Sequence, residues 1–248
     1  MTMRSPRVLS LAVCLTAGLL SAAFLAGCSK TSNTPRDAAP APAPAAESPR
    51  VSETTPGPAR AALDSRPAVV FLGDSLTAGL GVASEEAYPS LVQQKIDADG
   101  LAFHVVNAGV SGDTSAGGLS RLDDALTGDV RVLVVALGGN DALRGLPVEE
   151  LRKNLATIIE RAQARKIRVV LAGMEAPPNF GESYTAAFHK VYPELAKQYH
   201  VEVVPFLLQG VAGIERLNQR DGIHPTAEGA RIVADNVWTV LRPMLKGS

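Results

Sequence analysis

The feature that most narrows what this chain can fold into is an alternation. From residue 67 onward, short apolar runs take turns with longer amphipathic ones. The apolar runs are AVVFLG (68–73), FHVVNAG (103–109), VRVLVVALGG (130–139), IRVVLAG (167–173) and VEVVPF (201–206). Most are rich in Val and Leu and apolar throughout rather than at every second position, as strands covered on both faces should be. Helix-period patterns occupy 84–98, 115–126, 147–165, 183–199 and 226–245. Strict strand–helix alternation predicts an α/β fold. We expect a three-layer α/β/α sandwich around a central, mostly parallel five-stranded sheet, joined by right-handed crossovers.

What precedes residue 67 has a different composition. Arg4 and Arg7 lead into the apolar run VLSLAVCLTAGLLSAAFLAGC, which reads as a charged n-region and h-region of an export signal. A single spanning helix is the competing reading, because the run is about long enough. Its last four residues, Leu25-Ala26-Gly27-Cys28, resemble the lipobox of bacterial lipoproteins. That resemblance implies a signal peptide at 1–27, cleavage before Cys28, and a lipid on its thiol that anchors the protein to the cell envelope. If the cell is Gram-negative, the outer membrane facing the periplasm is the expected location. Residues 28–66 are rich in Pro, Ala, Ser and Thr and nearly free of large apolar side chains, so they should form a tether rather than a core. Residues 67–248 are then the folded domain. The chain's two cysteines are Cys14 and Cys28, which leaves the domain neither a disulfide nor a cysteine metal site. A formal net charge of −1, no basic block and 4% aromatic residues argue against a nucleic-acid partner.

In open α/β sheets, ligands sit beyond the carboxyl ends of the strands. The residues there are Gly73-Asp74-Ser75, then Asn107-Ala108-Gly109, then Gly138-Gly139-Asn140-Asp141, then the loop MEAPPNFGESY. Ser75 has three readings. It suits a helix N-cap. It does not suit a phosphate loop, since GxxxxGK[ST] and a third fingerprint glycine are missing. It suits a nucleophile if a base lies near. The candidate base is His224 in DGIHPTAEG, with Asp221 three residues earlier to hold the imidazole. An isolated D-x-x-H is equally compatible with a loop and a cap.

Together the blocks GDSLTAG, NAGVSGDTSAGG, LGGND and DGIHP resemble the SGNH (GDSL-type) hydrolase superfamily, in order and across nearly all of 67–248. GGNDALRGLP and PPNFGESY are similar to its bacterial thioesterase, arylesterase and lysophospholipase branch. The resemblance implies a flavodoxin-like fold and a serine hydrolase that cleaves carboxylic esters or thioesters of acyl chains through an acyl-enzyme, with no metal or other cofactor. It assigns catalysis to Ser75, Asp221 and His224, and an oxyanion hole to Ser75, Gly109 and Asn140. Leu143, Leu146, Pro178 and Phe180 are the expected acyl-binding residues. Thr77 stands where the G-x-S-x-G elbow needs glycine, which argues against an α/β-hydrolase. A carbohydrate O-acetyl esterase and a catalytically silent envelope-binding module are the rival readings.

Other chemistry-bearing residues read as structural. Asp74 and Asp141 should brace loops, Asp113 should cap or turn, and Trp238 should pack. His104, His189 and His200 lack mutual ligand spacing. The sequence does not define an oligomeric state.

Overall fold

The computed structural model describes residues 65–247. The expected signal peptide, the lipidation site Cys28 and all but the last two residues of the expected tether lie outside them. Five strands form one sheet: β1 (Ala68–Gly73), β2 (His104–Gly109), β3 (Val130–Ala136), β4 (Arg168–Ala172) and β5 (Glu202–Val204). Every neighbouring pair is parallel, in the order β2-β1-β3-β4-β5. The expected sandwich is therefore present, and all of its strand pairs are parallel.

Packing explains the strand sequences. All six residues of β1 are buried, and β3 is buried at every position but Arg131. These two and β4 carry the unbroken apolar runs because helices cover both faces. β2 and β5 are the edges and are only partly buried, which accounts for exposed Asn107 and Glu202 within them. On one face lie α2 (Tyr88–Ala98) and α8 (Ala227–Lys246), packed on each other. On the other lie α3 (Ser115–Ser120), α6 (Val148–Ala164) and α7 (Glu182–Tyr199). α8 buries Ala230, Val233, Ala234, Val237, Leu241 and Leu245, a single stripe at helical spacing. Thr226 caps it by accepting from Gly229 N–H at 3.3 Å.

Two expected helices are interrupted. The 84–98 pattern contains Pro89, which lacks the N–H of a helix interior. The chain forms a 3₁₀ turn at Ser84–Glu86, goes extended at Ala87 and restarts as α2 with Pro89 in the first turn. The 115–126 pattern breaks at Arg121 into α3 and α4 (Leu122–Ala125), where the Arg121 side chain reaches to the carboxyl ends of β1 and β2 and to Asp113. The run expected as strand to 139 ends at Ala136, and Gly139–Leu143 forms α5.

Strand order also marks the functional crevice. Connections leave β1 toward β2 on one side and reach β3 on the other, so the chain direction switches between β1 and β3. Crevices beyond the strand ends open at such switch points. Just beyond these two strands stand Asp74-Ser75 and, at the start of α5, Gly139-Asn140.

Candidate active site

Ser75 is the first residue of α1 (Ser75–Ala78), a single turn closed by Gly79. The cap is not Ser75 but Asp74, whose Oδ1 accepts from Leu76 N–H at 3.0 Å. That frees the Ser75 hydroxyl. Its Oγ stands 2.9 Å from His224 Nε2, although the two residues are 149 positions apart. On the far side of the ring, Nδ1 is 2.8 Å from Asp221 Oδ2. Asp221 Oδ1 accepts from the N–H groups of Ile223 and His224 at 2.9 and 3.0 Å. Those backbone bonds, with the His224 contact, hold the carboxyl at about 2, so it is an acceptor only. Nδ1 must then carry the imidazole proton, and Nε2 presents a lone pair to Ser75. The three side chains form a connected line from carboxylate to hydroxyl.

Asn140, first turn of α5, lies beside them. Its Nδ2 donates to Asp113 O at 2.9 Å and, over a longer 3.3 Å, to Asp74 Oδ2. Asp74 is buried at 3% exposure, and burial pushes its carboxyl up to about 6 despite the Leu76 and Asn140 bonds and the His224 ring. Asp141 is buried as well. Its carboxylate takes Ser115 N–H at 2.8 Å and Ser115 Oγ–H at 2.5 Å, pinning α3 to α5. Both aspartates brace loops, as expected from sequence. Asp113 does not cap α3; Thr114 does. Asp113 instead pairs with Arg121 Nε at 2.6 Å, while the same guanidinium donates to Ala108 O at 2.7 Å and Gly73 O at 2.9 Å.

Gly109 does not fit the role expected of it. Its N–H already donates to Asn107 Oδ1 at 3.0 Å. Its α-carbon is pressed against the α1 backbone, where a Cβ would overlap Ala78 N. Close packing of the β2 end on α1 is what requires glycine here. In the same block, Gly112 N–H has no hydrogen-bond partner among the described residues. The next residue, Asp113, supplies the carbonyl that holds Asn140.

A cleft of about 420 Å³ opens at Ser75 and His224. Leu143 and Pro178 line it, as expected. Leu146 and Phe180 do not. Leu146 O accepts from Tyr184 O–H at 2.8 Å, and Phe180 packs on Tyr184 with ring centroids 5.4 Å apart. Both tie the loop after β3 to the loop after β4 from outside the cleft. The lining is completed by Met174, Phe206, Leu208 and Ile223 among others. Met174, Phe206 and Leu208 follow strand ends and Ile223 lies in the loop before α8, but an apolar residue in a loop has no pattern by which the sequence would mark it.

Residues 71–232 match the GDSL-like lipase/acylhydrolase family. The chain belongs to that family. It is an ester or thioester hydrolase. It is 42% identical over 178 residues to "Esterase TesA" of Pseudomonas aeruginosa, covering 71% of this chain and 89% of the relative. It is 36% identical over 178 residues to "Thioesterase 1/protease 1/lysophospholipase L1" of Escherichia coli K12, covering 71% and 84%. The crystal structure of TesA superposes with a TM-score of 0.68 at 41% identity, over 71% of this chain and 98% of that one.

Proposed function

We propose that this hydrolase works through Ser75 as nucleophile, with His224 as general base and then general acid and Asp221 orienting it. The observation that carries the reading is the continuous Asp221–His224–Ser75 line opening into an apolar cleft. Ser75 Oγ attacks the acyl carbonyl as its proton passes to His224 Nε2. The proton then goes to the departing alcohol or thiol, leaving the acyl group on Ser75. Water repeats the sequence in reverse, releasing the carboxylic acid and free Ser75. The developing oxyanion needs preorganised donors. Ser75 N–H, at the start of α1, lacks an intrahelical partner. Asn140 has one N–H only loosely held by Asp74 at 3.3 Å. Gly112 N–H replaces Gly109 N–H as the third donor, because the latter is taken by Asn107.

The substrates are esters or thioesters of acyl chains. The cleft's lining is mainly aliphatic, which suits an alkyl chain better than the hydroxyls of a glycan. The names of the relatives extend the class to thioesters and lysophospholipids. The N-terminal sequence supports export and lipidation at Cys28, which would anchor the enzyme to the cell envelope (the outer membrane facing the periplasm if the cell is Gram-negative), where a lysophospholipid or other envelope ester is a more accessible substrate than a cytoplasmic thioester. A fluorophosphonate should label Ser75, and Ser75→Ala should lose both the label and ester hydrolysis. Hydrolysis that survives Ser75→Ala would overturn the mechanism. Metabolic labelling with palmitate, lost in Cys28→Ser, tests the anchor.

A further inference from the structure

The triad is assembled from two loops far apart in sequence, and one hydrogen bond across an ester hydrolase's Ser–His pair is a thin connection. We propose that Gln219 is a positioning residue that holds the histidine loop in register with the nucleophile turn, an inference that rests on the Ser75–His224 reading above.

The histidine loop is closed on itself. Thr226 N–H donates to Leu217 O at 2.9 Å, Gln219 N–H to His224 O at 2.7 Å, and Gly222 N–H to Gln219 O at 2.9 Å, while Asn218 and Pro225 form an antiparallel bridge. This frame fixes where His224 stands relative to its own loop but not relative to Ser75. The Gln219 side chain supplies the missing link. Its Nε2 donates to Pro225 O at 2.9 Å, next to His224, and to Leu80 O at 2.7 Å, across 139 positions of sequence. Leu80 belongs to the turn in which α1 ends, and its own N–H donates to Ser75 O at 3.0 Å. The path from the imidazole to the nucleophile's backbone therefore runs His224, Gln219, Leu80, Ser75, through hydrogen bonds of ordinary length. Among the described residues, the Gln219–Leu80 and His224–Ser75 bonds are the two that join segment 75–83 to segment 217–226.

The sequence makes room for this brace. Gly81 has φ +81°, and a Cβ there would overlap the Gln219 carboxamide. One amide nitrogen has two N–H groups set at a fixed angle, so donating to both carbonyls defines the separation of the loops rather than merely attracting them. An imidazole that drifts from the hydroxyl by a fraction of an ångström remains folded and binds substrate but transfers the proton poorly. A brace of this kind should therefore act on turnover rather than on substrate affinity.

The test uses the full chain with Gln219→Met, which keeps bulk and removes both donors, and Gln219→Asn, which keeps the amide but shortens its reach. Each should lower kcat on p-nitrophenyl acetate about tenfold with KM within about twofold, and slow fluorophosphonate labelling of Ser75 by the same factor. In a His224→Ala background the same substitutions should change the residual rate by less than about twofold, since Gln219 acts through the imidazole. Should one variant fail to fold, the other carries the comparison. Unchanged kcat in a folded variant would overturn the proposal, as would a full-sized loss repeated in the His224→Ala background. Activity retained in Ser75→Ala would instead overturn the triad itself, so the two failures are separable.

Discussion

At Asp74, burial and hydrogen bonding pull in opposite directions. Burial raises its carboxyl to about 6, from an ordinary 3.8, while the Leu76 and Asn140 donors favour the ionised form. Between those two values the folded protein holds a proton that the unfolded chain has released. Stability should therefore fall as pH rises from about 4 to 6, with the full penalty above about 6. Asp221 has the opposite sign. Its carboxyl is held at about 2, so its contribution is present above 3.8 and is lost as pH falls toward 2. Asp74→Asn should flatten the pH 4–6 part of a melting-temperature profile; identical slopes in both proteins would refute the assignment. Asn140→Ala should cost about 10²–10³ in kcat, with little change in melting temperature. Ser75, Asn140, Asp221 and His224 stand out in the sequence because each lies in a short block, the first two just past a predicted strand and the last two just ahead of the last helix. The Gly109 assignment failed for a physical reason. Two glycines share that block, and only coordinates tell which N–H is spent on a neighbouring side chain and which is free.

Elements were legible where periodicity was strong and ran out where one residue overruled it. The stripe on α8 and the apolar runs of β1, β3 and β4, broken only by Arg131 and Arg168, could be read directly. The α3–α4 break could not, since Arg121 follows the helical pattern yet sends its guanidinium to two carbonyls and a carboxylate on other segments. That side chain clamps the ends of β1 and β2 to the turn before α3. Arg121→Met should destabilise the protein by about 3 kcal/mol, measured by denaturant titration, because Asp113 is left without its cation at 17% side-chain exposure. Gly109→Ala should also lower the unfolding free energy, by about 1–3 kcal/mol in the same titration, as the added methyl forces β2 away from α1. A variant as stable as the parent would show that this contact gives way more easily than its geometry implies.

For the whole molecule, the order β2-β1-β3-β4-β5 gathers loops from distant parts of the chain into one cleft. Its walls come from the segments after β1, β3, β4 and β5, and two of the four residues expected to bind the acyl chain line it. Leu143 and Pro178 were placed by resemblance, while Phe206, Leu208 and Ala212 become neighbours only once the sheet is assembled. Filling that space at Ala212, with Ala212→Phe, should lower kcat/KM for a dodecanoyl ester relative to an acetyl ester by at least about tenfold. A ratio unchanged by the substitution would move the acyl chain elsewhere. The 149 positions between Ser75 and His224 carry a further consequence for how the enzyme is made. A nascent chain that has presented its serine lacks the histidine that would activate it until every strand and the last loop have followed, so a partly synthesised copy is expected to be inert toward esters.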